Sequence, residues 1–226
     1  LFRSYKKKSM TRKEVEKIAR QTTLSLSETK VIRRLGENAQ LNHNITEIRG
    51  PFLQNIARGL SDQTAGQGNS ARIGDEILLQ NLKLKFWLSN KLDRPNVMYR
   101  VTVFWYAVSV SGSLPLVSDV YHTSSGNKMV AFLNRERISV VSDRFIKSSQ
   151  SYAPDHEHSY LHNQNANWKS KKITFSDNGT DAIGAQGQIK GKDLFVAITP
   201  YDAYGTLTTD NIASYALNYQ VAFKDL

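Results

Sequence analysis

Between residues 214 and 223 apolar side chains return at every second position: Tyr215, Leu217, Tyr219, Val221 and Phe223 all point one way. A period of two is that of a strand with one face buried, and it rules out a helix over the same stretch. The period recurs at Glu76–Asn90, where Ile77 and Leu79 lead into Leu82, Leu84, Phe86 and Leu88, spaced by Lys83 and Lys85. In Val97–Val110, Val101, Val103 and Trp105 alternate with Thr102, Phe104 and Tyr106. Apolar character on both sides of that alternation predicts a central strand covered on both faces. Further strands are expected at Arg137–Lys147, Trp168–Ser176 and Asp193–Thr199, and Asn42–Ile48 alternates loosely before Gly50-Pro51 breaks it.

Turn residues separate these segments at Leu92–Pro95, Ser111-Gly112-Ser113, Ser124–Asn127, Asp177-Asn178-Gly179 and Tyr204-Gly205. No helical stretch of βαβ length lies between them, which argues against a parallel doubly wound sheet. Seven strands are read in this way. An eighth is sought in Leu116–Tyr121, Met129–Leu133 or Gly187–Ile189. Seven or eight strands with long, uneven loops predict an all-β fold, an antiparallel eight-stranded jelly roll of two sheets. At 226 residues the chain is long enough to bury such a core without staples, and with no Cys it has none to use.

Charge divides the chain differently. Residues 1–50 hold twelve Lys and Arg against five Glu, a net of +7, whereas the other 176 hold eighteen cations against fifteen acids, a net of +3. A basic N-terminal arm, residues 1–36, is therefore expected ahead of a β body, residues 37–226, and its form is that of a nucleic-acid tether. Thr11-Arg12-Lys13-Glu14 has the form of a capping box, so a helix of about 12 residues should begin there. Val15, Ile18 and Ala19 would form its apolar stripe, with Lys13, Lys17 and Arg20 nearly opposite. The nucleic-acid-binding residues expected are Arg3, Lys6, Lys7, Lys8, Arg12, Lys13, Lys17 and Arg20. The bland alternative is a solvated charged face. The chain starts at Leu1 rather than Met, so upstream residues are expected to have been lost, and no secretory signal pattern opens it. No apolar run is long enough to cross a bilayer, so no membrane partner is expected.

Catalytic signals are weak. Asp155-His156-Glu157-His158 with His162 offers imidazoles and carboxylates, good ligands for zinc, iron or manganese. Cupin enzymes use such a His-x-His pair, but they then require a Glu four or five residues on, where this chain has His162 and Asn163. They also begin with Gly six residues before the first His, where Gln150 stands, and no His follows 162 to supply their second motif. Gln150–Asn167 reads as a polar exposed loop, and no metal is assigned. Gly66-Gln67-Gly68 lacks the third glycine of a dinucleotide fingerprint, and no phosphate-binding Gly-Lys-Ser/Thr loop occurs. His43 and His122 stand isolated. No nucleophile, base and oxyanion donor come together, so an enzyme is not expected and no cofactor is called for. Aromatic residues fall mostly on strands, where packing is the default, leaving one or two as stacking platforms for bases.

The order of these pieces resembles a family. A basic arm, a polar Gly/Gln-containing loop at Ser61–Ser70 and the segment Ala71-Arg72-Ile73-Gly74-Asp75-Glu76-Ile77 lead into the strand Leu82–Leu88. Tyr99–Val110, then Arg137-Ile138-Ser139-Val140-Val141-Ser142-Asp143-Arg144, then a closing strand ending Phe223-Lys224-Asp225, follow in turn. This resembles the capsid proteins of small circular single-stranded DNA viruses of eukaryotes, and that of satellite tobacco necrosis virus. Ile138 stands where the family has an aromatic residue, and Gly112–Asn134 has no firm counterpart. The resemblance implies a jelly-roll coat protein that associates with itself into an icosahedral shell, the smallest having about 60 copies. It implies single-stranded nucleic acid as partner, DNA favoured over RNA, residence in the virion and assembly in the host nucleus, and it leaves the host surface receptor unknown. The loops Pro51–Ser70, Gly112–Gly126 and Gln150–Asn167 are then expected at intersubunit or outer-surface contacts. A cellular nucleic-acid-binding β domain and a cupin-like metalloenzyme are the alternatives.

Overall fold

The computed structural model describes residues 10–59, 71–107, 114–123, 125–147, 159–176, 188–203 and 207–225. One helix precedes the β body, α1 (Arg12–Leu26), and a single turn of helix, α2 (Val117–Val120), lies within it. The strands are β1 (Lys30–Asn42), β2 (Glu47–Arg49), β3 (Glu76–Asn90), β4 (Met98–Ala107), β5 (Ile138–Lys147), β6 (Ser159–Ser176), β7 (Gln188–Ile189), β8 (Lys192–Tyr201) and β9 (Asn211–Asp225). They form a five-stranded sheet, β1-β9-β3-β6-β7, and a four-stranded sheet, β2-β8-β4-β5, with antiparallel pairing throughout. Without the two-residue β7, each sheet has four strands, drawn from both ends of the chain and its middle. That strand order is the two-sheet antiparallel jelly roll.

The alternation read in the sequence builds the core directly. On β4, Tyr99, Val101, Val103 and Trp105 face the five-stranded sheet and meet Leu82, Leu84, Phe86 and Leu88 of β3 and Tyr215, Leu217, Tyr219, Val221 and Phe223 of β9. The other face of β4 is buried too. Phe104 stacks on Phe195 of β8, ring centroids 6.0 Å apart, in a second cluster with Val120, Tyr121, Ile138 and Ala197. Residues 114–123 and 125–137 cover that cluster. Their polar anchor is Arg100, whose guanidinium binds both oxygens of Asp143 at 3.1 and 2.9 Å and donates to the Lys128 and Ala131 carbonyls, both at 2.7 Å. Thr102 adds a hydroxyl bond to Asp143 at 2.7 Å. Strands β4 and β8 are thus covered on both faces, as expected of a central strand within Val97–Val110.

Several expectations are corrected. The missing strand is β1: Lys30–Leu35, counted with the arm, pair with β9 from Lys30↔Phe223 onward. Six successive exposed residues hide this edge strand from any apolar period. Asn42–Ile48 is not one strand but the end of β1, a turn and the start of β2. Of the candidates for an eighth strand, Leu116–Tyr121 contains α2, Met129–Leu133 begins in a turn, and only Gly187–Ile189 holds a strand, the short β7. Strand β6 starts at Ser159, so Ser159–Asn167 are not loop; the pairs Lys85↔Asn163 and Lys83↔Asn165 leave polar residues on the open side of the sheet. Within Pro51–Ser70, Phe52, Leu53 and Ile56 are buried in the main core, so this part plugs the sandwich instead of offering an outer loop. Residues 60–70 of that loop, and Gln150–His158, fall outside the described residues.

The family-like motifs sit at structural pins. The Arg72 side chain is wholly buried, lies 4.1 Å over the Phe175 ring and donates to the Gly74 carbonyl (2.8 Å) and Asp75 (3.1 Å). Asp225 accepts from the Ile73 amide at 3.4 Å and pairs with Lys30 at 2.8 Å. The first and last strands and the lead-in to β3 are thereby tied at one end of the sandwich.

Candidate nucleic-acid interface

Helix α1 begins where the capping box places it. The Glu14 amide donates to Thr11 Oγ1 at 3.4 Å, and Glu14 Oε2 accepts from the Thr11 amide at 2.8 Å. The bond from the Thr11 amide most, and the Thr11 hydroxyl donating to the same Oε2 at 3.0 Å, hold the Glu14 carboxyl below the usual carboxylate range. The helix runs 15 residues, longer than expected. Lys13 and Lys17 lie one turn apart and are exposed. Arg12 is exposed and pairs with Glu16 at 2.9 Å, so its charge is partly matched within the helix. Arg20 lies in the helix, though its side chain is not among those described, and Arg3, Lys6, Lys7 and Lys8 fall outside the described residues. Of the expected set, Arg12, Lys13, Lys17 and Arg20 therefore fall on one short helix. Val15 and Ile18 on the apolar stripe are exposed.

Sequence reading missed the cations of the body. Arg33 of β1 and Lys83 and Lys85 of β3 stand exposed on the five-stranded sheet, and the Arg33 Nε donates to Gln220 Oε1 at 3.1 Å. The signal was present, since Lys83 and Lys85 alternate with core residues, but in one strand they read only as spacers. Register with β1 and β6 is needed to see them as part of a surface.

Of the candidate metal-ligating residues Asp155, His156, Glu157, His158 and His162, only His162 is among the described residues. It lies in β6 opposite Phe86, its pKa lowered by burial. Among the described residues no three His, Asp or Glu side chains are placed to hold a metal ion. His43 is buried; its Nδ1 accepts the Asp202 amide at 3.2 Å and its ring tilts on Tyr201. Burial lowers its pKa despite the nearby Asp202 and Asp210, which suits a neutral acceptor. His122 lines a cleft of about 660 Å³ beside Arg100 and Asp143. A second cleft, about 370 Å³, opens between the edges of the two sheets, where Arg49 donates to the Tyr215 hydroxyl and Asn55 to the Tyr219 hydroxyl at 2.8 Å. Among the described residues lining the two clefts, no nucleophile is paired with a base. Among the described residues no helix is long and apolar enough to cross a membrane.

No protein-family model and no curated protein matches the sequence. Solved structures that match include a chain of the infectious bursal disease virus Gx strain structure, at 10% identity and a TM-score of 0.25 over 88% of this chain. This chain spans only 37% of that one. Another is Merkel cell polyomavirus VP1 in complex with 3'-sialyllactosamine, at 11% identity and a TM-score of 0.15, covering 87% of this chain and 77% of the other. Both are viral capsid proteins of low similarity to this chain. The strand order and the charges carry the functional reading, and the likenesses do not.

Proposed function

We propose that this chain is a structural, non-enzymatic capsid protein that associates with itself into a small closed shell and packages single-stranded nucleic acid, DNA in preference to RNA. Its place is then the virion, with assembly in the host nucleus. The observation that carries this reading is a jelly roll whose first strand, β1, is fed by a basic segment holding a short helix with exposed Lys13 and Lys17. The order of sequence motifs like those of small circular single-stranded DNA virus and satellite tobacco necrosis virus coat proteins supports it. In this reading the jelly roll supplies the wall, about 60 copies in the smallest closed arrangement. Arg3, Lys6, Lys7, Lys8, Arg12, Lys13, Lys17 and Arg20 face the interior and neutralise phosphates without reading bases.

Electron microscopy and sedimentation of the purified chain test the wall. Monodisperse closed particles are expected, and a species that stays monomeric at high concentration, with or without nucleic acid, overturns the reading. Replacing Lys6, Lys7, Lys8, Lys13, Lys17 and Arg20 with Gln tests the arm. Particles should still form but carry less nucleic acid, and unchanged content would take packaging away from the arm.

A further inference from the structure

The pairing register places a set of side chains on the outward face of the five-stranded sheet that the sequence scatters over four strands. Directly paired residues of antiparallel strands share a face. One row reads Arg33, Gln220, Lys83, Asn165, and the next Leu35, Asn218, Lys85, Asn163. The third holds Ala216, Trp87 and Leu161. The three rows contain three cations, four carboxamides and no acid; Glu37 lies in the bulge that interrupts β1. None of the ion pairs among the described residues involves Arg33, Lys83 or Lys85. Trp87 is 49% exposed, whereas Trp105 is 4% exposed and Trp168 packs against the core. Lys83, Lys85 and Trp87 thus run in line along a central strand, about 7 Å from one to the next.

We propose that this open face is a second binding surface for single-stranded nucleic acid, in which Arg33, Lys83 and Lys85 take phosphates and Trp87 stacks a base. It rests on the nucleic-acid part of the function proposed above but uses none of the arm residues. Cations that track a backbone beside one exposed aromatic ring make up a sequence-tolerant single-strand site. Carboxamides add donors and acceptors without repelling phosphate. Lys is depleted in the cores of protein–protein contacts, so two lysines at the centre of the face disfavour a subunit there. The basic segment reaches the body through β1, the edge strand of this same sheet, so one strand of nucleic acid can leave the arm and continue across the face.

The test uses the full chain and a dT oligonucleotide of about 20 residues, with affinity read by tryptophan fluorescence and by filter binding between about 50 and 200 mM salt. Trp87→Ala should weaken binding about five-fold or more at fixed salt, while Trp87→Phe should keep most of the affinity and lose most of the fluorescence quench. Lys83→Gln with Lys85→Gln should reduce the slope of log affinity against log salt by about 1.4. Thermal melts of the variants should match the parent. If these variants bind like the parent while Lys13→Gln with Lys17→Gln loses affinity, the face is not a site and the arm alone serves. If the parent binds no oligonucleotide at low salt, this inference and the nucleic-acid part of the proposed function fall together. If Trp87→Ala changes the particle or oligomer state with affinity unchanged, the face is a protein contact and the inference is wrong.

Discussion

The two sheets share one core yet spend their outer faces differently. The four-stranded sheet is sealed over β4 and β8 on its far side by residues 114–123 and 125–137, which bury Phe104, Phe195 and Ala197 and pin Arg100 against Asp143. The far side of the five-stranded sheet leaves Lys83, Lys85 and Trp87 exposed, and no acidic partner for these charges occurs among the described residues. A sheet covered twice contributes stability from both faces, whereas a sheet covered once keeps one face for a partner. Substitutions on the sealed side should therefore cost folding, and substitutions on the open side should cost binding.

Arg100→Ala is the strongest way to break that contrast. It removes a bidentate ion pair and leaves Asp143 and the Lys128 and Ala131 carbonyls without their shared donor. Breaking a buried pair by removing one partner costs about 3–5 kcal/mol; with Asp143 still partly exposed, about 3–4 kcal/mol is expected in urea unfolding. Arg100→Lys should recover little, since an ammonium cannot span two carboxylate oxygens and two carbonyls. A loss under 1 kcal/mol would mean that the covering segment holds without its anchor.

Gly50 tests the same sheet from its β2 edge. Its φ is +138°, and a Cβ there would lie 2.6 Å from the Phe195 ring and 2.9 Å from the Leu194 carbonyl oxygen. Strain at φ and overpacking against β8 add, so Gly50→Ala should cost about 3 kcal/mol. Gly36, whose added Cβ would meet only Leu217 O at 3.9 Å, is the control on the five-stranded sheet and should cost far less when changed to Ala.

Asp193 makes the contrast pH-dependent. It is fully buried at the start of β8 and accepts the amides of Leu53 (2.9 Å) and Gln54 (3.0 Å), which holds the buried 52–56 segment on the sheet. Burial raises its pKa to about 6, and the backbone bonds pull the other way but lose. The folded state then holds a proton that the unfolded chain, with an Asp near 3.9, has released. Its contribution to stability is full below about pH 4, falls as pH rises through about 6, and is level above, a drop of about 3 kcal/mol. Asp193→Asn should flatten that window, and a parent protein that gains stability between pH 4 and 6 would reverse the assignment.

The sealed half was the more legible in sequence for the same physical reason. Val101, Val103, Trp105 and Phe104 are apolar on both sides of β4, and Leu194, Val196 and Ile198 give β8 away. The open half hid its edges: β1 runs exposed through Arg33, Arg34, Leu35, Gly36, Glu37 and Asn38, and β6 alternates Asn163, Asn165 and Asn167 with half-buried residues. Edge strands with few apolar side chains are specified by their partners, which periodicity cannot register. The helix cap at Thr11 and Glu14 was readable because all its chemistry is local. The basic surface was not, because Arg33, Lys83 and Gln220 meet only through pairing between strands far apart in sequence.

The smallest expected effect closes the comparison. Lys83→Gln and Lys85→Gln remove charges that no carboxylate among the described residues pairs with, from exposed positions whose aliphatic neighbours point into the core. Each should change unfolding free energy by no more than about 0.5 kcal/mol, the range of surface substitutions outside any network. The sign is informative. With Arg33 in the same row and Lys85 in the next, removing the Lys83 charge relieves like-charge repulsion, so stability should rise slightly at low salt and the gain should fade as salt is added. A clear loss in isolated, nucleic-acid-free protein would mean that the face packs against another part of the chain, and that both sheets are sealed.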